Sequence, residues 1–427
     1  MEPRNNMKSC FHYFENSVIV ELVSSSLSDG LEKRLFQTFI RDIPGSGGPL
    51  TIFESMKRDD IVAAAREGHL GAVKWLHNCL TEGPENGWVE GTFDQICISA
   101  ASGGHLEIIK WARERGWNPR VYNSLDVCSS AAAGGHLNVL KWAYHNGVWI
   151  GNNPCYEAAR FGHLHCLKWL HKISGIDDKQ ILFYAAEGGH IDCIQWLVDN
   201  GCPWDENRCY KNCANAAKGG HLDCLMWLVY KGFRWDEQTC AKAAEGGHLE
   251  VLQWARKHWC RWDEQTCAKA AKGGHLEVLQ WARENGCDWD QHTWINAATY
   301  GHLKVLQWAR ENGCNWHPHT CDFAAEGGHL DVLQWARENG GNWNEDTCAY
   351  AAKGGHLEVL QWAREKGCPW NEETCSKAAK GGHVNVLKWA RDNGCPWNRR
   401  DILYYAERGQ NKDVLNYIGK TGGMFFY

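Results

Sequence analysis

HLEVLQWARENGC, residues His275–Cys287, decides the fold, because the chain writes it again and again. It returns as HLKVLQWARENGC at His302–Cys314 and as HLDVLQWARENGG at His329–Gly341. Looser copies open at His69, His105, His136, His163, His190, His221, His248, His356 and His383. From His221 to His383 the spacing is 27 residues without slippage, and a decayed thirteenth copy is expected to open at Gln410. A fixed period between about 20 and 50 residues marks a repeat array in which each unit is one supersecondary motif.

The unit between Trp235 and Trp262 reads as two short helices. Asp236 is placed to cap the first, with Glu237 adding negative charge at its positive end. Cys240, Ala243 and Ala244 make a stripe of small residues at i, i+3, i+4, which lets neighbouring backbones approach on both sides. Gly246 and Gly247 stop that helix, since glycine accepts the left-handed conformation of a helix end. A second helix opens at His248 and presents Leu249, Val251, Leu252, Trp254 and Ala255. Arg256 and Lys257 fall in its last turn, where cations suit the helix dipole. One such pair buries too little apolar surface to fold alone, so stacking against neighbours is required.

The motif resembles the ankyrin repeat. The run Gly-His-Leu-Glu-Val-Leu, followed by a Gly eleven residues after the His, is similar to that family's second helix and its exit. The Ala-Ala pair ahead of each His, as at Ala270–Ala271 and Ala351–Ala352, is similar to its first helix, and all twelve His copies carry it. Asp236, Asp263 and Asn371 match the family's usual Asn. The resemblance covers roughly residues 59–418. Two departures stand out: six residues are missing between Asp263 and Thr266, and Gln265-Thr266-Cys267-Ala268 replaces the family's Thr-Pro-Leu-His start. Both remove the projecting β-hairpin finger, so binding through fingertips is not expected. Arrays of so short a period resemble those of large DNA viruses and of protists or algae. The resemblance implies an all-α ankyrin-type helix-turn-helix solenoid of about 13 repeats, with a small N-terminal cap or module.

Composition narrows the function. A formal net charge of −6 over 427 residues does not suggest nucleic acid as a partner. Of 21 cysteines, nine fall eight residues before a repeat His and six fall twelve after one. In the ankyrin pattern those slots hold Leu and Ala, so Cys serves here as a small hydrophobe, a usage suited to a reducing compartment. No signal peptide or membrane span is read in the chain. The expected location is intracellular and cytoplasmic, with the nucleus open and a host cell implied for a viral source.

Three segments are delimited: an N-terminal cap or module with a Gly/Pro linker (1–57), the array (58–418) and a C-terminal tail (419–427). Within the first, Val20-Glu21-Leu22 through Leu31 resembles an F-box without the opening Leu-Pro, which would make the chain a substrate adaptor of a ubiquitin ligase. Insertions interrupt the array around Thr81–Phe93, Asn118–Leu125 and Glu206–Lys211.

The repeated His is read as structural, because catalysis needs a unique constellation and this residue recurs twelve times. Two tryptophan series, one six residues after each His and one fourteen after it from Trp235 to Trp397, are read as packing between repeats. Cys314-x2-His317-x-His319-x-Cys321 has metal-ligand spacing, yet both cysteines stand at ordinary repeat positions. Residues three before each His nearly alternate in charge (Glu245, Lys272, Thr299, Glu326, Lys353), so lateral ion pairs are expected.

The array should therefore be a non-enzymatic, monomeric scaffold that binds a protein on its concave face. No cofactor, metal, membrane, nucleic acid or small-molecule substrate is implied. The face is expected on the first helix, at positions ten, six and three before the His. In the His248 and His275 repeats it carries Gln238, Lys242, Glu245 and Gln265, Lys269, Lys272, read as ordinary solvent-facing residues. In the next three repeats it becomes His292, Asn296, Thr299, then His319, Phe323, Glu326, then Asp346, Tyr350, Lys353, with Tyr300 in place of a glycine. Tyr300, Phe323 and Tyr350 are the expected anchors, with His292 and His319 as a polar rim.

Overall fold

The computed structural model describes residues 58–82, 91–118, 124–148, 150–175, 178, 180–202 and 210–421. The 1–57 segment with its F-box-like stretch, most of the three insertions and the tail beyond 421 lie outside them. Among the described residues all regular structure is helical, in 26 helices. The chain divides into two compact units, Met1–Pro203 and Trp204–Tyr427. The first holds the helices from Arg58–Glu67 to Ile191–Asp199, the second those from Tyr210–Lys218 to Lys412–Thr421. Within each unit consecutive first helices pack closely side by side, while consecutive second helices barely touch. Each unit is an all-α helical-repeat solenoid.

The small-residue stripe explains the close row. In the first helix of the His275 repeat, Glu264–Gly273, the buried residues are Thr266, Cys267, Ala268, Ala270 and Ala271, none larger than a threonine. Its second helix, Leu276–Glu284, buries Val278, Leu279 and Ala282. The expected caps are present: the Asp263 carboxylate accepts from the Gln265 N–H at 3.1 Å, and Asp236 does the same for Gln238. Gly274 closes the first helix at φ 74.

The repeated His holds neighbouring repeats together. His275 begins its second helix by main-chain bonding while its ring reaches back, with Nε2 3.1 Å from the Glu245 carbonyl at the end of the preceding first helix. The same bond is made by His248 to Lys218, His302 to Lys272, His329 to Thr299 and His356 to Glu326. The acceptor oxygen requires that Nε2 carry the proton, and the bond satisfies a carbonyl that a helix end otherwise leaves without a partner. The ring lies against glycines of two repeats: a Cβ on Gly247 would sit 2.5 Å from His275 Nδ1, and one on Gly273 2.4 Å from Cδ2. The left-handed second glycine of the Gly-Gly-His signature is thus a steric requirement as well as a helix stop, whereas the first slot admits Tyr300.

The last copy is shifted by one residue from its expected register. Asn411, not Gln410, occupies the His slot: its Nδ2 donates to the Lys380 carbonyl at 3.0 Å, and a Cβ on Gly382 would meet its Oδ1. Gln410 takes the left-handed glycine position at φ 53. The extra residue lies in the preceding helix, Arg399–Arg408, which the 27-residue count overlooks.

The arginine of the second helix does more than face the helix dipole. The Arg283 guanidinium donates to the Cys287 carbonyl at 2.6 Å and lies 4.3 Å over the Trp289 ring. Trp289 in turn meets Trp308 of the next repeat edge-on, centroids 5.8 Å apart. Arg256–Trp262–Trp281, Arg337–Trp343–Trp362 and Arg364–Trp370–Trp389 repeat the arrangement. These tryptophans are half-buried and link repeats where the second helices themselves stand apart.

The described cysteines from Cys97 to Cys395 are free, and all of these are buried except the half-buried Cys314. Burial pushes the Cys128 and Cys321 thiols up to about 12 and Cys314 to about 11. Neutral thiols of this kind are packing groups.

Candidate protein-binding face

The exposed side of the first-helix row changes character along the second unit. In the His248 and His275 repeats it is an ion cluster, not a set of independent solvent-facing residues. Lys242, Lys269 and Lys272 place their Nζ atoms 2.5, 3.7 and 2.9 Å from the carboxylate of Glu245, which is only 15 % exposed. Burial opposes ionisation of Glu245, but the lysine hydrogen bonds and charges outweigh it and hold its carboxyl at about 2. Lys272–Glu245 and Lys353–Glu326 (2.5 Å) are the lateral pairs expected from the alternating charges.

The next three repeats carry the aromatic residues. Tyr300 is 47 % exposed, with Lys272 of the previous repeat 5.4 Å over its ring. Phe323 is half-buried against the His317 ring, centroids 5.4 Å apart. Tyr350 is half-buried between Lys353 and Lys377, whose Nζ atoms lie 5.6 and 5.7 Å from its ring centre. His292 is exposed near the Asp290 carboxylate at 4.0 Å. Asn296 turns inward to donate to the Ala268 carbonyl at 2.9 Å, which makes it part of the stacking. The structure brings His319 and Phe323 together around His317. Tyr300, Phe323 and Tyr350 occupy successive repeats of one row and make no ring contact with one another.

The His317-Pro-His319 segment has its own chemistry. His317 stands at the slot that the capping Asp263 holds in its repeat and accepts from the His319 N–H through Nδ1 at 3.2 Å; burial and the neighbouring His319 lower its pKa. His319 Nδ1 lies 2.8 Å from Asp322 Oδ2. Asp322 is buried where other repeats hold Ala, and it also accepts from Thr347 Oγ1 of the next repeat at 2.5 Å. Among the described residues no three His, Cys, Asp or Glu side chains gather to hold a metal ion.

Two features escaped the sequence reading. One is a coupled exchange in the core. Trp294 replaces the template cysteine, is fully buried, and donates from Nε1 to Thr320 Oγ1 at 2.7 Å. It packs on Trp316, whose ring takes the space a side chain at Gly341 would fill: a Cβ there would lie 2.7 Å from Trp316 Cζ2. Trp294 for Cys and Gly341 for Cys are thus one change in two places. The other is an aromatic group in the first unit at equivalent slots. Phe161 is 49 % exposed at the Tyr300 position, and Tyr184 occupies the Tyr350 position. Tyr184 stacks on Tyr156 at 4.9 Å, with Arg160 4.6 Å over its ring. Applying the same offsets to the looser His163 and His190 copies reveals both.

The helix pairs and their packing define a helical-repeat solenoid fold. A family model described as ankyrin repeats (3 copies) matches at residues 127–208 and 155–239. Those stretches, together residues 127–239, are similar to ankyrin repeats, and ankyrin repeats generally mediate interactions between proteins. No curated protein matches it. Among solved structures it is similar to the human ASB11 ankyrin repeat domain, at 20% identity over 38% of this chain and 84% of that one, with a TM-score of 0.30. It is also similar to the pentatricopeptide repeat protein PPR10 from maize, at 14% identity over 96% of this chain and 73% of that one, with a TM-score of 0.29. No helix among the described residues is long and apolar enough to cross a membrane.

Proposed function

We propose that the array is a non-catalytic scaffold that binds a protein partner through the first-helix face of the repeats opening at His302, His329 and His356, the concave side of the array. One observation carries this reading. Over those repeats the buried threonine, the Ala pair and the repeat His keep their template while the exposed slots change from an ion cluster to Tyr300, Phe323 and Tyr350 with His292 and His319 beside them. Half-exposed aromatic rings offer large contact area at little entropic cost, and such residues dominate protein interfaces. The repeat histidines support the absence of catalysis, since each of those described above spends its ring on the same backbone bond. The neutral buried thiols suit a reducing, intracellular location.

Affinity capture with the full chain, compared with its Phe323→Ala/Tyr350→Ala variant, tests this. The partner retained by the native chain should be lost from the variant and kept by Lys242→Ala/Lys269→Ala. Equal retention by both variants would remove the site from this face.

A further inference from the structure

A second surface stands out at the opposite end of the repeat, where the second helix exits. In the repeats opening at His275, His302 and His329 the five exit residues read Glu-Asn-Gly-Cys-Asp, Glu-Asn-Gly-Cys-Asn and Glu-Asn-Gly-Gly-Asn. Glu365 and Asp392 open the same edge in the two that follow. Two neighbouring repeats break the rule together: Tyr230-Lys231-Gly232-Phe233-Arg234 and Lys257-His258-Trp259-Cys260-Arg261. An acidic edge has become basic and aromatic.

The backbone there is strained. Trp259 holds φ 66 where the template has glycine, as at Gly286 with φ 81. A bulky side chain rarely adopts that conformation, and strain of this kind persists chiefly at functional positions. The ring gains no burial in return, being 90 % exposed. Tyr230 is 86 % exposed, and Met226, one turn earlier on its helix, is 43 % exposed. Lys231, Arg234, Lys257 and Arg261 are all exposed. The two edges adjoin: Trp235 packs on Trp254 at 5.5 Å, and His258 stacks on the same Trp254 at 4.3 Å.

We propose that this exit edge, centred on Tyr230 and Trp259, docks a short acidic segment of a partner protein that carries apolar side chains. Charge complementarity names the sign of the occupant, and the boundary names its kind. The basic patch ends at Glu284, Asp288 and Glu311, all exposed. A membrane plane or a long nucleic acid strand would run onto those acids, whereas a short peptide spanning two repeats would not. Tyr, Trp and Arg are the residue types that carry most binding energy at protein interfaces.

The test uses the full chain and a panel of fluorescently labelled peptides in which Glu or Asp alternates with Leu, Phe or Tyr. Binding should appear at low ionic strength and weaken with salt, as it does for charged surfaces. Trp259→Gly restores the template residue and leaves folding intact. That change with Tyr230→Ala, or Lys257→Glu with Arg261→Asp, should weaken binding by roughly tenfold or more. Phe323→Ala should leave it unchanged, which separates this edge from the first-helix face. The proposal is overturned if no peptide binds, if neither double variant weakens binding, or if oligothymidylate or phosphatidylserine vesicles bind in preference to the peptides.

Discussion

The His248 and His275 repeats and the three that follow keep the same buried threonine and Ala pair and differ on one face. Thr239, Thr266, Thr293, Thr320 and Thr347 are all fully buried at the same slot, and the Ala pairs behind them are likewise buried. Most exposed slots differ: three lysines surround Glu245 in one region, while the other carries tyrosines and a phenylalanine and keeps only the Lys353–Glu326 pair. A repeat array constrains each position by its neighbours on both sides, so stacking residues repeat. Residues facing away from both neighbours are free of that constraint, and there the chain departs from itself.

The sharpest break of this comparison is a glycine that the stacking requires against one that it does not. Gly274→Val places a Cβ 2.4 Å from His302 Nδ1 in a left-handed backbone and should cost about 3 kcal/mol or more. Tyr300→Gly, at a slot the array already lets vary, should change stability by less than about 1 kcal/mol. Urea unfolding of both variants decides it; equal tolerance would mean the Gly–His contact does not hold repeats together.

The Trp294–Gly341 exchange predicts a somewhat smaller effect. Trp294→Cys should cost about 3 kcal/mol through the void it leaves, and Gly341→Cys about 1–3 kcal/mol through the clash with Trp316. Together they restore the template, so the double variant should be more stable than the sum of the single losses by at least about 1 kcal/mol. Additive losses in denaturant melts would break the coupling.

A modest pH dependence follows from the histidines. Burial first of all lowers the pKa of His275 and His356 below the ordinary value. The unfolded chain therefore takes up protons that the folded chain resists, so stability is full at about pH 7 and declines toward about pH 5. Glu245, held at about 2, keeps its stabilising ionisation until the pH falls below the usual glutamate range, so the two effects occupy separate windows. His275→Asn/His356→Asn preserves a donor, as Asn411 does naturally, and should flatten the decline between those pH values. An unchanged slope would assign it to other groups. Smallest of all, Glu245→Gln should cost under about 1 kcal/mol, because the cluster is partly open to solvent; a larger loss in thermal melts would make the cluster a structural element.

The helix pair, its Asp caps, the glycine stop and the buried cysteines were legible in the sequence because each repeats with the period. The ion pairs were legible too, since residues 27 positions apart had to meet laterally. The ring bond of His275 to Glu245 was not legible, because the recurrence of the His marks it as structural without naming its partner. What stayed hidden depends on three-dimensional proximity between non-equivalent slots: Arg283 lying on Trp289, Trp294 displacing Trp316 toward Gly341, and Asp322 meeting His319 and Thr347. The shift to Asn411 was hidden because one extra residue in the preceding helix broke the count. Of the candidate face, the identity of Tyr300, Phe323 and Tyr350 and their common row could be read. The lysines over Tyr300 and Tyr350 could not.

Hydrogen–deuterium exchange on the full chain, alone and with the captured partner, tests the central claim most directly. New protection is expected in the first helices Gln291–Thr299, Thr320–Gly327 and Glu345–Gly354, with little change in Glu237–Gly246 and Glu264–Gly273. Protection spread evenly over all the first helices, or confined to the second helices, would contradict it.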